Sequence, residues 1–377
     1  MHKLTFYPLG NADSCRIDLE NGKKLLIDFA DKKDPEDQED LRCDLPALLR
    51  EDLEEAGRDY YDVVAITHLD DDHFRGASEF FWFDHAKKYQ GEDRIKIDTL
   101  WVPADVITEK GVEDTEAKII QKEARHRFKN GSGIRVFSRP EGLRAWCDDN
   151  GISFDERKEL ITDAGKTVPE FSLHNDGVEF FVHSPFAKRL NEDEVEDRNT
   201  GSIVLQGTFR VASSDTRVLL FADTPHENLS EIVLITRDVK KHPDRLKWDV
   251  AKLPHHCSYR SLGQDKGEDK TEPTDEISWL WSKQGEDKGV IVSTSKPIPV
   301  KGTDEDKDKN PPHRQAANYY QEVTGDLDGD FVVTMEWPKQ NDPKPLVIEI
   351  GSLKAKLKRG AVTASVIATT QRSPRAG

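Results

Sequence analysis

The sequence of 377 residues contains no long apolar run and few cysteines. No segment approaches the roughly 18 consecutive apolar residues that predict a membrane-spanning helix, so we expect no membrane protein. The N-terminus leads directly into strand-like sequence, without the apolar core of a signal peptide. The cysteines, Cys15, Cys43, Cys147 and Cys257, lie far apart and form no C-x-x-C pair. We therefore expect reduced thiols in a cytoplasmic protein.

Positive charge is also scarce relative to negative charge. The chain has 55 lysines and arginines against 72 aspartates and glutamates, which gives a formal net charge of −17 at pH 7. A protein that binds nucleic acid over its whole surface is normally basic, so this balance disfavours that class. A local basic groove, or metal ions that bridge to phosphate, could still hold a nucleic acid. Any nucleic-acid contact is therefore expected to be local.

Strand-like and helical segments alternate through both halves of the chain. Apolar stretches such as "YDVVAITH" and "TRVLLFADTP" predict buried strands, and "EDTEAKIIQKEARHRF" predicts a helix. This mixture predicts an α/β fold, an αββα sandwich of two mixed β-sheets flanked by helices. We expect a single domain with insertions over residues 1–350. Residues 351–377 are basic and rich in alanine, threonine and serine, which predicts a tail that is disordered or docks on a partner.

The stretch "AITHLDDDHFRGA" (65–77) places two histidines and three aspartates within six positions, directly after a predicted strand. Because aspartate favours helix N-termini, an acidic helix cap is the simpler interpretation of residues 70–72. However, three further predicted strands also end in metal-ligand residue types, at His183, at Asp223 and at the pair His255–His256. Loops at one edge of a sheet can converge, and divalent cations would relieve the repulsion between the carboxylates. The pattern therefore predicts a metal site.

The first of these stretches resembles the signature of the metallo-β-lactamase superfamily, T-H-x-H-x-D-H. It reads T-H-L-D-D-D-H here, with Asp70 in place of the second histidine. Other pieces resemble one branch, the soluble metallo-β-lactamase-like domain of ComEC-type DNA-uptake proteins: "LGNADSCRI", "LIDFA", "VHSP", "NTGSIVL", "LLFADTP", "LPHHCSYRS" and "VSTSKP…PPHRQAANYY". The resemblance runs over residues 4–325. Cys257 and Ala222 stand where the branch has glycine. The many membrane helices of that branch are missing, so we do not expect a transport channel.

The resemblance implies that two divalent ions, Zn²⁺ or Mn²⁺, bind between these loops. It implies three ligands for one ion, three for the other and one bridging aspartate: His68, Asp70 and His183; Asp72, His73 and His256; and Asp223. His255 could be the ligand instead of His256. We favour His256, because ligand histidines in this loop usually precede a small residue. Supporting residues around the ligands are expected at Asp28, Asp71, Asn199 and Ser258. Among these, Asp28 and Asp71 would orient ligand histidines.

The resemblance further implies a binuclear metal-dependent hydrolase, foremost a phosphodiesterase or nuclease that uses a metal-bridging hydroxide. Asp72 would act at the metal pair. Whichever of His255 and His256 is not a ligand would protonate the leaving oxygen, His255 in the favoured assignment, with His313 as the second candidate. The carboxylate-rich ligand set favours Mn²⁺ over Zn²⁺.

Two other functions stay open at this point. One is hydrolysis of a small ester, lactone or amide. The other is a metal-binding subunit of a multi-protein complex, such as a bacterial defence system. The expected partners are a phosphodiester substrate, which includes nucleic acid held at a local site, and a protein partner or a second copy of the chain. No membrane contact is expected.

Overall fold

The computed structural model describes residues 1–138, 140–186 and 201–358. Within these ranges the chain forms two β-sheets, and the strands are numbered along the chain. The first sheet contains β1 (His2–Phe6), β2 (Cys15–Asp18), β3 (Lys24–Ile27), β4 (Tyr60–Ala65), β5 (Lys96–Pro103), β6 (Ile134–Phe137), β7 (Ile161–Thr162), β14 (Leu346–Gly351) and β15 (Lys354–Leu357). Their spatial order is β15-β14-β1-β2-β3-β4-β5-β6-β7. Strands β3 to β7 run parallel, and the other neighbours pair antiparallel, so the sheet is mixed.

The second sheet is built from the second half of the chain. It contains β8 (Val178–Ser184), β9 (Val204–Val211), β10 (Ser214–Leu220), β11 (Trp248–Lys252), β12 (Gly285–Ser293) and β13 (Asp330–Val333). The spatial order is β13-β12-β11-β10-β9-β8. Strands β10 to β13 are parallel, whereas β8, β9 and β10 pair antiparallel, so this sheet is mixed as well.

Helices follow many of the strands. They are α1 (Leu45–Glu55), α2 (Asp71–Phe74), α3 (Ala77–Phe80), α4 (Ala104–Thr108), α5 (Thr115–Asn130), α6 (Pro140–Asp149), α7 (His226–Leu234), α8 (Asp275–Gln284) and α9 (Arg314–Asp326). The longest, α5, begins after Asp114, whose side chain accepts a hydrogen bond from the Ala117 N–H, and ends at Gly131 with a positive φ. Helix α7 continues into a π-helical turn at Ile235–Val239. None of the described helices is long and apolar enough to cross a bilayer.

Three buried apolar clusters define the layers. One lies between the two sheets and joins residues such as Leu4 and Ile17 of the first sheet to Phe180 and Val250 of the second. Another covers the outer face of the first sheet with helices that include α1 and α5. The third packs α7, α8 and α9 on the outer face of the second sheet. The predicted αββα sandwich of two mixed sheets is therefore confirmed.

The C-terminal strands belong to the first sheet. Strand β14 pairs antiparallel with β1, and β15 pairs antiparallel with β14. Strand β15 lies inside the segment for which the sequence predicts a tail from residue 351, so the sheet extends through Leu357. Residues 359–377 of that segment lie outside the described residues.

Candidate metal centre

Loops from both sheets meet at one end of the sandwich. Asp13 follows β1, Asp28 follows β3, and residues 67–73 follow β4 in the first sheet. Asp223 follows β10 and the His255–His256 pair follows β11 in the second sheet. Because β3 and β4 are parallel neighbours, as are β10 and β11, the loops after them leave the same edge of their sheet. This edge is where the predicted ligands converge.

Four buried side chains form a compact acid–imidazole cluster. Asp13, His73, Asp223 and His256 each offer one ligand atom, and these atoms all lie within 4.8 Å of one another. The His73 Nε2 lies 3.4 Å from one Asp223 oxygen, and the His256 Nε2 lies 3.8 Å from the other. The His256 Nε2 also lies 3.0 Å from the carboxylate of Asp72. The Nε2 atoms of both histidines therefore face the Asp223 carboxylate.

Hydrogen bonds on the opposite side of each ring fix this orientation. The His73 Nδ1 lies 2.8 Å from Asp28, whose carboxylate also accepts hydrogen bonds from the N–H and the hydroxyl of Thr67. The His256 Nδ1 donates to the backbone carbonyl of Thr294 at 2.8 Å. With the proton held on Nδ1, the Nε2 lone pair is available to a metal ion. The structure thus brings Asp28 to the position expected of a ligand-orienting carboxylate.

Asp13 approaches the histidines from behind. Its oxygens lie 3.8 Å from the His73 Nδ1 and 3.9 Å from the His256 Nδ1, the nitrogens that already bond to Asp28 and Thr294. The buried ammonium group of Lys252 contacts Asp13 and donates to the Phe221 carbonyl at 2.8 Å. We therefore interpret Asp13 as a residue behind the ligands, although it belongs to the cluster by distance.

Sequence reasoning did not assign Asp13 or Lys252 to the site. The signal for Asp13 was present, because "LGNADSCRI" was among the stretches that carry the resemblance. Lys252 ends β11, three residues before His255, on a segment that the sequence predicts as a strand. A buried lysine requires a carboxylate partner, but this rule does not identify Asp13 among the 72 acidic residues of the chain.

The charges of the cluster depend on one another. Burial opposes a charge on His73, but Asp28 and Asp223 outweigh it and hold the pKa of His73 well above its usual value. Burial likewise favours neutral Asp223, yet His256 and His73 hold the pKa of this carboxyl well below its usual value. The Asp223 carboxylate therefore stays ionised and needs cationic partners, a role that protonated imidazoles or a divalent cation can fill.

Two buried atoms give a direct test of whether a cation fits here. The His73 Nε2 and the Asp223 Oδ1 face each other at 3.4 Å, and neither makes a hydrogen bond of good geometry within the described residues. Buried polar atoms in folded proteins almost always have a partner. A cation between a nitrogen lone pair and a carboxylate would give both atoms one. The residues present fit a divalent metal ion.

A second group of donors lies beside the first. The His68 ring is buried 4.0 Å from the His73 ring, centroid to centroid, and its Nε2 lies 3.5 Å from Asp70. The His255 Nε2 lies 3.6 Å from the Asp223 oxygen that also faces His256. Both His255 and His256 therefore face Asp223. The sequence left open which of the two is a metal ligand, and in the structure both are placed to be one.

The structure does not bring His183 to this cluster, which corrects its assignment as a ligand. Its Nε2 donates to the Arg245 carbonyl at 2.9 Å, and its Nδ1 lies 3.4 Å from the Thr236 hydroxyl. Side chains alternate along a strand, and Val182 faces the core between the sheets, so His183 faces the outer helical layer. Burial lowers the pKa of His183 to about 4, so this histidine is neutral at pH 7.

His313 also lies outside the cluster. It immediately precedes α9, and its Nδ1 accepts a hydrogen bond from the Tyr259 N–H at 3.3 Å. Its own backbone N–H donates to the Cys257 carbonyl at 3.1 Å. These contacts lie behind the His255–His256 loop, which gives no support to His313 as the proton donor.

Two expected supporting residues, Asp71 and Ser258, have other positions. Asp71 is half exposed and pairs with Lys32 at 2.7 Å and with Arg75 one helical turn later, because the first position of α2 points to the surface. Ser258 accepts a hydrogen bond from the Arg260 N–H at 3.3 Å and thereby caps the next turn. Neither residue orients a ligand histidine. Asn199 lies outside the described residues.

A cleft opens beside the cluster. Its volume is about 590 Å³, and its lining includes Pro225 and His226, just after Asp223, and Tyr259 and Arg260, just after His256. The His226 Nδ1 donates to the Arg260 carbonyl at 3.1 Å. Arg260 is exposed, and its guanidinium lies 6.0 Å from the ring centroid of Tyr259. The lining therefore holds a cationic side chain, Arg260, and also an anionic one, Glu227.

Comparison with family models and with curated proteins finds no match. Among solved structures, a diphosphatase of the PhnP family is 11% identical with a TM-score of 0.34, over 93% of this chain and 98% of that chain. Tm1679, a metal-dependent hydrolase of the β-lactamase superfamily, is 9% identical with a TM-score of 0.38, over 88% and 96%. Unliganded yeast PDE1 is 13% identical with a TM-score of 0.42, over 88% and 96%. Nothing in these three matches supports the ComEC-type branch.

Proposed function

We propose that this protein is a metal-dependent hydrolase that cleaves phosphodiesters. The observation that carries the proposal is the convergence of imidazole Nε2 atoms on the buried Asp223 carboxylate, at 3.4 Å for His73, 3.6 Å for His255 and 3.8 Å for His256. A structural role does not explain so many ligand atoms around one ionised carboxylate. Divalent ions held there would make water nucleophilic at neutral pH and withdraw electrons from a phosphoryl oxygen.

The ligand residues divide into two groups around Asp223. His73, His256 and Asp72 would hold one ion, and His68, Asp70 and His255 would hold the other. Aspartate oxygens contribute to both groups, and this hard donor set favours Mn²⁺ over softer ions. Asp28 and the Thr294 carbonyl keep the protons of His73 and His256 on Nδ1, so both Nε2 atoms stay directed at the ions.

One residue of the cleft beside the cluster, Arg260, can bind an anionic substrate, and Glu227 of the same lining would oppose it. The exposed guanidinium of Arg260 can bind a phosphate oxygen in the bidentate geometry that guanidinium and phosphate share. The cleft volume of about 590 Å³ is within the range of small-ligand sites. A single chain of nucleotides or a small phosphodiester fits this description better than an uncharged lactone.

The test compares substrates and one matched pair of variants. We expect bis-p-nitrophenyl phosphate to be hydrolysed with added Mn²⁺ or Zn²⁺, and p-nitrophenyl acetate and a lactone not to be. Asp223→Asn should lose bound metal and lower kcat/KM by about 100-fold or more, since even residues behind a ligand set change activity by 10–100-fold. Asp155→Asn, an exposed aspartate paired only with Lys158, serves as the control.

Metal content by elemental analysis accompanies each assay. Turnover of the ester or lactone without the phosphodiester would contradict the proposed substrate class. Bound metal with no turnover of any substrate would instead support the metal-binding subunit named above.

A further inference from the structure

We propose that His313 is a positioning residue: it holds the segment His255–Cys257 in the conformation that directs both histidines of the pair at Asp223. The inference rests on the proposed function, because it concerns the same metal ligands. His313 itself does not touch the cluster. It acts through the backbone that follows His256, at Cys257 and Tyr259.

The segment that carries the two histidines has an unusual backbone. His255, His256 and Cys257 have φ angles of 47°, 51° and 66°, so three consecutive residues with a Cβ adopt the left-handed conformation. Such residues visit this region as single residues and not as a run, because the Cβ approaches the following carbonyl oxygen. The surrounding structure must therefore hold the segment in place.

His313 contacts the segment at two points. Its backbone N–H donates to the carbonyl of Cys257, the third left-handed residue, at 3.1 Å. Its Nδ1 accepts from the N–H of Tyr259, two residues further on, at 3.3 Å. The two rings pack edge to face with their centroids 4.9 Å apart. His313 is 1% exposed, so water cannot readily replace either hydrogen bond.

An imidazole is suited to this task because it stays neutral. Burial lowers the pKa of His313 to about 4, with the nearby charge of Lys266 as a further cause. The Nδ1 lone pair is therefore available to the Tyr259 N–H throughout the neutral range. A residue that protonates a leaving group would instead need a proton to release and a path to the substrate.

Three substitutions of His313 distinguish the role of its Nδ1 from that of its Nε2. In His313→Asn the side-chain oxygen can take the place of Nδ1 and accept from the Tyr259 N–H. In His313→Gln the amide lies nearer to the place of Nε2, and in His313→Ala no acceptor remains. The backbone N–H of residue 313 is present in every variant, so the side-chain contact alone is changed.

Binding of Co²⁺, followed by its visible absorption, is the readout, because the spectrum reports the ligand geometry without turnover. We expect His313→Ala and His313→Gln to weaken Co²⁺ binding by about 10–100-fold and to alter the spectrum. His313→Asn should recover most of the affinity and the wild-type spectrum. Thermal unfolding shows whether each variant is folded, and the comparison of Asn with Gln remains decisive if the alanine variant is not.

The pH profile of kcat/KM distinguishes positioning from proton donation. We expect His313→Asn to keep the shape of the wild-type profile. Normal Co²⁺ binding by His313→Asn with a lost limb of the profile would overturn the inference in favour of proton transfer. Equal behaviour of the Asn and Gln variants would also overturn it, while leaving the proposed function intact. Failure of the wild-type protein to bind Co²⁺ would overturn both.

Discussion

At the scale of single residues, Cys257 has a side chain that suits its buried surroundings and a backbone conformation that disfavours any side chain. The residue is fully buried among the apolar side chains between the second sheet and its helices. Its φ of 66° lies in the region that glycine adopts without penalty. The branch that the sequence resembles has glycine at this position. Packing therefore favours the thiol where the backbone favours glycine.

Replacing Cys257 separates these two effects. Cys257→Gly and Cys257→Ala both remove the sulfur, but only glycine relieves the left-handed backbone. We expect the glycine variant to be more stable than the alanine variant by about 1 kcal/mol in free energy of unfolding, since a left-handed residue with a Cβ costs about 1–2 kcal/mol. Urea denaturation of the metal-free proteins measures the difference. A more stable alanine variant would show that the backbone is not strained here.

Residue types were easier to predict from the sequence than contacts. The stretch at 68–73 concentrates metal-ligand residue types within six positions, and Asp223 directly follows an apolar stretch that predicts a strand. The roles of Asp13 and Lys252 depend on a contact across 239 positions of the chain, which no local pattern contains. A lysine that is buried needs a carboxylate partner, but only the packing of the two sheets determines which carboxylate pairs with Lys252.

At the scale of elements, the places where strands end were predicted better than the faces on which their side chains lie. The loops after β4, β10 and β11 converge as the parallel arrangement requires. Strand β8 also ends near this edge, but the pairing of β8 with β9 shifts register between Val182 and Ser184. His183 lies at that irregularity, and its side chain faces the helices. A residue near the end of a strand can therefore point its side chain to either face of the sheet.

His183 therefore gives an element-scale prediction. We expect His183→Ala to leave the number of bound metal ions unchanged. The variant should lose about 1–3 kcal/mol in free energy of unfolding, because the Arg245 carbonyl loses its buried donor. His256→Ala, measured beside it, should lose metal. Elemental analysis and denaturant unfolding check both expectations, and loss of metal from His183→Ala would restore it as a ligand.

At the scale of the whole molecule, the net charge of −17 opposes the proposed substrate. A phosphodiester must approach a surface that repels it, and the cation beside the site acts only at short range. Salt screens the long-range repulsion, since the Debye length falls from about 30 Å at 0.01 M to about 8 Å at 0.15 M. The overall charge should therefore govern how fast polyanions associate.

Ionic strength tests this expectation. We expect kcat/KM for a short oligonucleotide to rise severalfold between about 0.01 M and 0.15 M salt, over the range where the Debye length shortens most. The rise should be smaller for bis-p-nitrophenyl phosphate, which carries a single charge. Initial rates at fixed metal concentration measure both. A fall in kcat/KM with salt would mean that a local basic surface dominates the approach of the substrate.

The proposed ligand residues follow strands of two different sheets, since His68 and His73 follow β4 whereas Asp223 and His256 follow β10 and β11. One edge of the first sheet is formed by β14 and β15, the last strands of the described chain. An ion bound by both sets would act as a further cross-link between the two sheets, beside their apolar contacts and the ion pairs Lys252–Asp13 and Lys354–Asp249. Activity and the free energy of unfolding would then depend on the same bound ion, and a chelator would lower both together.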